Sequence, residues 1–359
     1  MLHLRAFLHQ ALPRIWQQRG WAARLLWPLS CLYAWAWRKQ QRKMLHLQKT
    51  QAPLPVPVLV IGNVIAGGAG KTPTCIAVVQ HFLQAGVRVG VLSRGYGRQP
   101  SAPVCVAVHA QTPPEHAGDE PLLIHRHTGV PVVVCAQRMH AARHLLHLHP
   151  DTQLLIADDG LQHLALPRDG EICVMDERGI GNGWLLPAGP LREPWPRRTT
   201  MLLQIAGDQQ HSAAHATLSI LPEQAVFQAR RMLADAALRA NGQRHTLAAW
   251  QAQGQGVVAL AGIAQPERFF AMLRAAGMHM IETAALPDHA DTAELLQQAR
   301  RLLQHGAPLL CTEKDAVKLW PHEPHIWAVP LVLQPEPAFF AALTSWWQQQ
   351  QGAANTAAP

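Results

Sequence analysis

Short runs of apolar residues, separated by stretches long enough for a helix, recur along the first part of the chain: "VLVIGN" (58–63), "RVGVLSRG" (88–95), "VPVVVC" (130–135), "TQLLIADDG" (152–160) and "EICVMD" (171–176). They are continuous rather than alternating, as in strands covered on both faces. The pattern predicts an α/β fold, a mostly parallel sheet with helices on both faces. Within "KTPTCIAVVQHFLQAG", Ile76, Val79 and Leu83 share one helical face, and Pro73 sits in the first turn, where a missing N–H costs nothing. Residues 206–254 are rich in Gln, Ala and His with weaker periodicity, and are read as a connecting region after a core at 51–205. A second strand–helix series runs from "GVVALAGIAQPERFFAMLRAAG" (256–277) through "APLLCTEKDAVKLW" and "HIWAVPLVL", predicting a smaller α/β domain at 255–345. The low-complexity end, 346–359, is expected to be disordered.

Charge changes the picture at the N-terminus. Residues 1–50 hold nine Lys or Arg and no acid, and the first acid is Glu115. The rest of the chain is nearly neutral, so the basicity belongs to an arm. That arm carries five of the twelve tryptophans, Trp16, Trp21, Trp27, Trp35 and Trp37. "WAARLLWPLSCLYAWAW" (21–37), closed by "RKQQRK", would make a helix about 26 Å long, just short of a roughly 30 Å hydrocarbon core. Indole rings flanked by cations suit the headgroup layer, so a helix lying on a membrane surface is the favoured reading. A helix packed on the domain and a single span are the others. A nucleic-acid arm would not carry so much continuous apolar surface. Six scattered cysteines with no CxxC pair read as small buried thiols in a reducing compartment.

The candidate chemistry starts at "IAGGAGKTP" (65–73), between a predicted strand and a predicted helix. Ile65, Ala66, Gly67, Gly68, Ala69, Gly70, Lys71 and Thr72 have the composition of a phosphate-binding loop. The glycines let the backbone approach phosphate oxygens, the helix N-terminus supplies N–H donors, Lys71 a cation and Thr72 a hydroxyl for magnesium. "LLIADD" places Asp158 and Asp159 at the end of a neighbouring strand, where one can hold magnesium. Nucleotide phosphotransfer or hydrolysis is therefore the leading chemistry. "AGDE", "SRGYGR", "GLQH", "PLREP" and "PDH" offer further acids, bases and cations.

Taken in order, "VIGNVIAGGAGKTP", "VGVLSRGYGR", "GDEPLLI", "ADDGLQH", "GNGWLLPAGPLREP", "LAGIAQPERFF", "LPDH" and "LLCTEKDAVKL" resemble tetraacyldisaccharide 4′-kinase, the lipid A kinase of Gram-negative bacteria, over about residues 10–335. The resemblance implies a membrane-associated P-loop enzyme at the cytoplasmic face of the inner membrane. It would use ATP and Mg2+ to phosphorylate the 4′-hydroxyl of an acylated glucosamine disaccharide 1-phosphate, forming lipid IVA. It implies that Asp119 and His289 activate the hydroxyl, beside the catalytic Lys71, and that Thr72, Glu120 and Asp158 form the metal environment. Arg94, Gln162, His163, Arg192 and Glu193 are placed in the cleft. Because Asp119 and His289 fall in different predicted domains, catalysis would need the domains to close.

Two positions depart from the family: Ile65 stands where a threonine is common, and Ala290 where a second histidine follows the Asp-His pair. The residues by themselves also allow a P-loop ATPase or GTPase that drives a partner, or a basic membrane adaptor with a degenerate loop.

Overall fold

The computed structural model describes residues 12–99, 101–206, 221–263, 265–287 and 290–356. A long helix, α1 (Trp21–Thr50), precedes β1 (Val58–Gly62), α2 (Lys71–Gln84), β2 (Val89–Ser93) and β3 (Cys105–Ala107). Next come α3 (Pro114–Ala117), α4 (Asp119–Thr128), β4 (Val132–Cys135), α5 (Arg138–Leu148), β5 (Leu154–Ala157), β6 (Gly170–Met175) and β7 (Met201–Ala206). The chain continues through β8 (Val226–Leu233), β9 (Ala236–Leu238), β10 (Arg244–Thr246), α6 (Leu247–Gln253), β11 (Val257–Ala261), α7 (Pro266–Ala275), β12 (Met280–Ala285) and α8 (Thr292–Leu303). It ends with β13 (Leu309–Thr312), α9 (Glu313–Leu319), β14 (Trp327–Val329), β15 (Leu331–Pro335) and α10 (Pro337–Thr356).

Among the described residues the larger sheet has the order β15-β8-β7-β6-β1-β5-β2-β4-β3. Its interior pairings are parallel, and only the outer pairs β15–β8 and β3–β4 are antiparallel. Alternate residues of the central strands enter two cores. Leu59, Ile61, Ile156 and Val174 pack with α2, while Val58, Val60, Leu155 and Ala157 pack with α5. Two-sided burial explains the unbroken apolar runs. β1 lies between β5 and β6, so the segments leaving those strands meet at one crevice, where this topology binds ligands. The smaller sheet has the order β10-β9-β14-β13-β11-β12.

Several expectations are revised. The buried face of α2 is Cys75, Val78, Val79 and Phe82, one position round from the expected stripe, and Leu83 is exposed. Within the expected connecting region, β8 joins the larger sheet and β9, β10 and α6 build the smaller lobe. "HIWAVPLVL" is two strands, because Pro330 ends β14 and lets β15 return to the larger sheet. The Gln-rich end is helical through Thr356 rather than disordered, because Phe339, Leu343 and Trp346 recur at helical spacing and are buried on the larger sheet. Cys105 and Cys135 are opposite each other in the β3–β4 pair and form a disulfide, and Cys31 is exposed, so the expectation of six buried thiols holds only for Cys75, Cys173 and Cys311.

The arm helix also extends further than the apolar stretch, continuing through the basic residues for 30 residues in all. Pro28 lies inside it and removes one intrahelical bond. Ala23 and Ser30 are buried against the body, whereas Trp21, Leu25, Trp27, Leu29, Leu32 and Trp35 are exposed. No helix among the described residues is long and apolar enough to cross a membrane.

α10 gives a direct test of the packing. The indole of Trp346 is buried and donates to the Asp169 carbonyl, and a Cβ added at Gly170 would lie 2.8 Å from its ring. Gly170→Ala is expected to cost about 1–3 kcal/mol through overpacking, seen as a lower urea midpoint with an unchanged slope. A midpoint equal to the parent's would mean that α10 is not held by this contact.

Candidate active site

The stretch from Ile65 to Gly70, between β1 and α2, is shaped mainly by bonds from outside it. Buried Asn63 donates its side-chain N–H to the carbonyls of Ile65 (3.0 Å) and Gly67 (3.2 Å), and Ala66 N–H donates to Pro190 O at 2.8 Å. Arg178 donates to Gly68 O at 2.7 Å and to Ala66 O at 3.4 Å, and is itself paired with buried Asp176 at 2.7 Å. Gly70 caps α2 with φ +81°, a conformation that favours glycine, and a Cβ there would meet Ile205 at 2.5 Å. Ile65, the position that departs from the family, is buried, bridges to Leu191 and packs in the α5-side core. An apolar side chain suits that environment, and the hydroxyl of a threonine would need a partner there.

Lys71 and Thr72 open α2, with Lys71 mostly buried. The Lys71 ammonium is 3.8 Å from Asp159 Oδ1, and the Arg192 guanidinium lies 3.4 Å from the same oxygen. Asp159 has φ +47°, a costly conformation for a non-glycine residue. Asp158 is fully buried: its N–H donates to Leu92 O and its carbonyl accepts from buried Arg138, while its Oδ1 has no hydrogen-bond partner. Burial pushes the Asp158 carboxyl up to about 7, the charges of Glu120 and Asp159 add to the rise, and Lys71 and Arg138 oppose it. Burial likewise raises Glu120, with Lys71 and Lys314 opposing and Asp159 and Asp119 adding.

A buried acid with an unbonded oxygen, raised further by the charge of half-buried Glu120, is a donor set that a divalent cation would relieve. Among the described residues no three His, Cys, Asp or Glu side chains are grouped closely enough to hold a metal by themselves. Magnesium typically keeps waters and binds through one or two carboxylates plus substrate phosphates, which fits this pair.

Asp119 and Glu120 open α4, which packs beside α2. A Cβ at Gly118 (φ +86°) would come within 2.9 Å of Tyr96 O, so the "GDE" and "SRGYGR" segments meet backbone to backbone. Lys318 of α9 reaches across from the smaller lobe to within 3.3 Å of Asp119 Oδ2. His127 bonds Glu313 at 2.8 Å, Arg126 lies over the Trp320 ring and Arg268 pairs with Glu177, all between the two sheets' elements. A cleft of about 780 Å³ runs along α4 and α9. His289 lies outside the described residues.

The remaining predicted residues divide into two groups. Arg94 is exposed and close enough to His163, with Arg138, to depress it. Burial first and those two arginines second bring His163 down to about 4, so its ring is neutral at pH 7. Gln162 and Glu193 are spent on structure: Gln162 donates to Asn63 O and to Glu193, both at 2.9 Å, and Glu193 also accepts from Arg197. Sequence reasoning missed Asn63, Arg138, Asp176, Arg178 and Lys318. Asp176 ends β6, the other neighbour of β1, so the rule that selected Asp158 at the end of β5 applied to it equally.

A sequence model of the family described as tetraacyldisaccharide-1-P 4′-kinase matches residues 22–348. The chain belongs to that family. It is 50% identical over 339 residues to the tetraacyldisaccharide 4′-kinase of Verminephrobacter eiseniae, covering 93% of this chain and 74% of that one. It is 48% identical over 342 residues to that of Polaromonas naphthalenivorans, with 94% of each chain covered. The crystal structure of the "apo" form of LpxK from Aquifex aeolicus in complex with ATP superimposes with a TM-score of 0.73 at 25% identity, covering 90% of this chain and 99% of that one. For this tetraacyldisaccharide-1-P 4′-kinase family member, the larger sheet and its loop therefore form an ATP-dependent kinase fold.

The buried acids make stability depend on pH. Folded Asp158 keeps its proton up to about pH 7, whereas the unfolded chain releases it near 4. The folded state thus binds more protons between these values, and stability falls as pH rises through that window. Without nucleotide or divalent cation, Asp158→Asn is expected to raise Tm by a few degrees at pH 8 and to leave it nearly unchanged at pH 4. Equal shifts at both pH values would place the strained charge elsewhere.

Proposed function

We propose that the chain transfers the γ-phosphate of ATP to the 4′-hydroxyl of a tetraacylated glucosamine disaccharide 1-phosphate, giving lipid IVA, at the cytoplasmic face of the inner membrane of a Gram-negative bacterium. The observation that carries this reading is the meeting of two helix N-termini. α2 begins with the Lys71 ammonium behind its phosphate loop, and α4 begins beside it with Asp119 and Glu120.

Phosphoryl transfer needs positioned phosphates, cations for the charge that spreads over the equatorial oxygens, and a group to take the acceptor's proton. The loop amides from Gly67 to Thr72, the α2 N-terminus and Lys71 serve the phosphates. Arg192, paired with Asp159, and exposed Arg94, near His163, are the further cations for this role. Asp119 takes the proton of the 4′-hydroxyl, with His289 as its partner in that role. Thr72, Glu120 and Asp158 would hold magnesium, which supplies charge stabilisation at the phosphates when bound.

The exposed ridge of α1 supports an acceptor held in a lipid surface. Trp21, Leu25, Trp27, Leu29, Leu32 and Trp35 face outward, and the same helix continues into Arg38, Lys39, Arg42 and Lys43. Apolar rings beside cations favour an anionic lipid interface. This exposure supports a helix that lies on the surface holding a four-chain lipid.

Mass spectrometry of a reaction containing ATP, Mg2+ and the tetraacylated disaccharide 1-phosphate is expected to show a gain of one phosphate on the lipid. Release of inorganic phosphate that ignores the lipid would favour a partner-driving ATPase instead. Asp119→Ala is expected to lower kcat by on the order of 10²–10⁴-fold, the range for losing a general base, while ATP still binds in calorimetry. Near-normal transfer by that variant would remove Asp119 from the chemistry. Replacing Trp21, Trp27 and Trp35 together by Ala is expected to weaken co-sedimentation with vesicles of anionic phospholipid by on the order of tenfold or more. Unchanged co-sedimentation would assign the ridge to something other than lipid.

A further inference from the structure

α9 is a short helix whose position is set at its N-terminal end. Thr312 caps it, and the buried Asp315 carboxylate accepts from the Thr312 hydroxyl at 2.6 Å and from Gly262 N–H at 2.9 Å. Ala316 and Leu319 anchor its apolar face in the smaller lobe's core. Lys318 therefore extends from a fixed platform, and among the described residues its ammonium has two partners. One is Asp119 Oδ2 at 3.3 Å, on α4 of the larger lobe. The other is the carbonyl of Ala290 at 3.2 Å, the residue that follows His289 in sequence. Lys318 and Asp119 side chains are only 15% and 13% exposed, so this is not a solvated surface pair of the kind that contributes little.

The junction is not required simply to hold the lobes together. His127 with Glu313, and Arg126 over Trp320, join the same two helices independently. Lys318 joins the Asp119 carboxylate to the carbonyl of Ala290, the residue that follows His289 in sequence. We infer that Lys318 is a positioning residue for phosphoryl transfer, holding the Asp119 carboxylate of the larger lobe and the Ala290 carbonyl of the smaller lobe in one frame. The inference rests on the reading above, in which Asp119 receives the hydroxyl proton. An ammonium is suited to this: its three donors can serve a carboxylate and a carbonyl at once, and its charge fixes which carboxylate oxygen it holds. A geometric role of this kind acts on the chemical step, where a misplacement of about 1 Å can cost on the order of 10²-fold.

The test compares Lys318→Met, which keeps the stem and removes the donors and charge, with Lys318→Arg, which keeps both. In the lipid phosphorylation assay, Met is expected to lower kcat by on the order of 10- to 100-fold with KM for ATP and lipid little changed, and Arg to recover part of the loss. Hydrogen exchange of peptides spanning 286–291 is expected to rise in the Met variant while the loop at 65–73 stays as in the parent. A Met variant with parental kcat, or one whose loss appears in KM or follows a lowered Tm, would overturn the positioning role. If the parent itself makes no phosphorylated lipid, the kinase reading fails. The exchange measurement still decides the junction, because unchanged exchange at 286–291 would show that Lys318 does not hold that segment.

Discussion

The phosphate cradle is a piece of main chain with almost no side chains of its own, so its shape has to be imposed from outside. Asn63 gathers two of its carbonyls, Arg178 two, and the Pro190 carbonyl takes the N–H of Ala66. These bonds turn loop carbonyls toward protein donors and away from the phosphate side, which favours amides facing the anion. Each brace is itself anchored. Asn63 follows β1, Arg178 is gripped by buried Asp176 at the end of β6, and Gln162 ties the Asn63 carbonyl to Glu193. The parallel order β6-β1-β5 places all these anchors at the same end of the sheet, so the topology and the cradle are one constraint.

The same end of the sheet collects acids whose burial opposes stability. Burial raises both Asp158 and Glu120, the charge of Glu120 adds to the rise of Asp158, and Asp158 is left with an unbonded oxygen although Arg138 lies beside it. In a purely structural cluster that oxygen would be expected to find a donor. Its being left open is consistent with a site built for a cation that arrives with its ligand. Lys71 and Arg192 sit across from these acids, sharing Asp159. Phosphate oxygens have the charge and geometry to replace that carboxylate on both cations.

How far the sequence could be read follows from which interactions are local. Parallel strands buried on both faces leave continuous apolar runs, and five of the larger sheet's strands were visible that way. Edge strands and crossovers leave weaker marks. β8 is mostly half-exposed, β3 is only three residues long, and β15 follows β14 after one proline yet belongs to another sheet. The loop and Asp158 could be proposed because their chemistry depends on spacing along the chain, and Asp119 because its motif resembles the family's. Arg178 and Lys318 could not be found so directly, since each acts on a segment distant in sequence. Gln162 and Glu193 show the converse: their motif positions pointed to the cleft, whereas their hydrogen bonds are spent bracing Asn63 and Arg197.

The segment 182–192 connects the arm to this machinery. Ser30 donates to Leu185 O and accepts from Ala188 N–H, the Tyr33 hydroxyl donates to Arg192 O, and the Trp16 indole donates to Pro187 O. The other edge of that segment holds the cradle, through Pro190 O to Ala66 and through the Arg192 side chain to Asp159. The helix that bears the exposed indoles is thus bonded to the strip of main chain that shapes the phosphate loop. Ser30 is buried at this seam while its helical neighbours Leu29 and Leu32 face out, so one turn of α1 serves both surfaces. A rotation of α1 that withdrew the indoles from an interface would carry Ser30 and Tyr33 with it and break the bonds to Leu185 and Arg192. Placement of the apolar ridge and placement of Arg192 are therefore coupled by geometry alone.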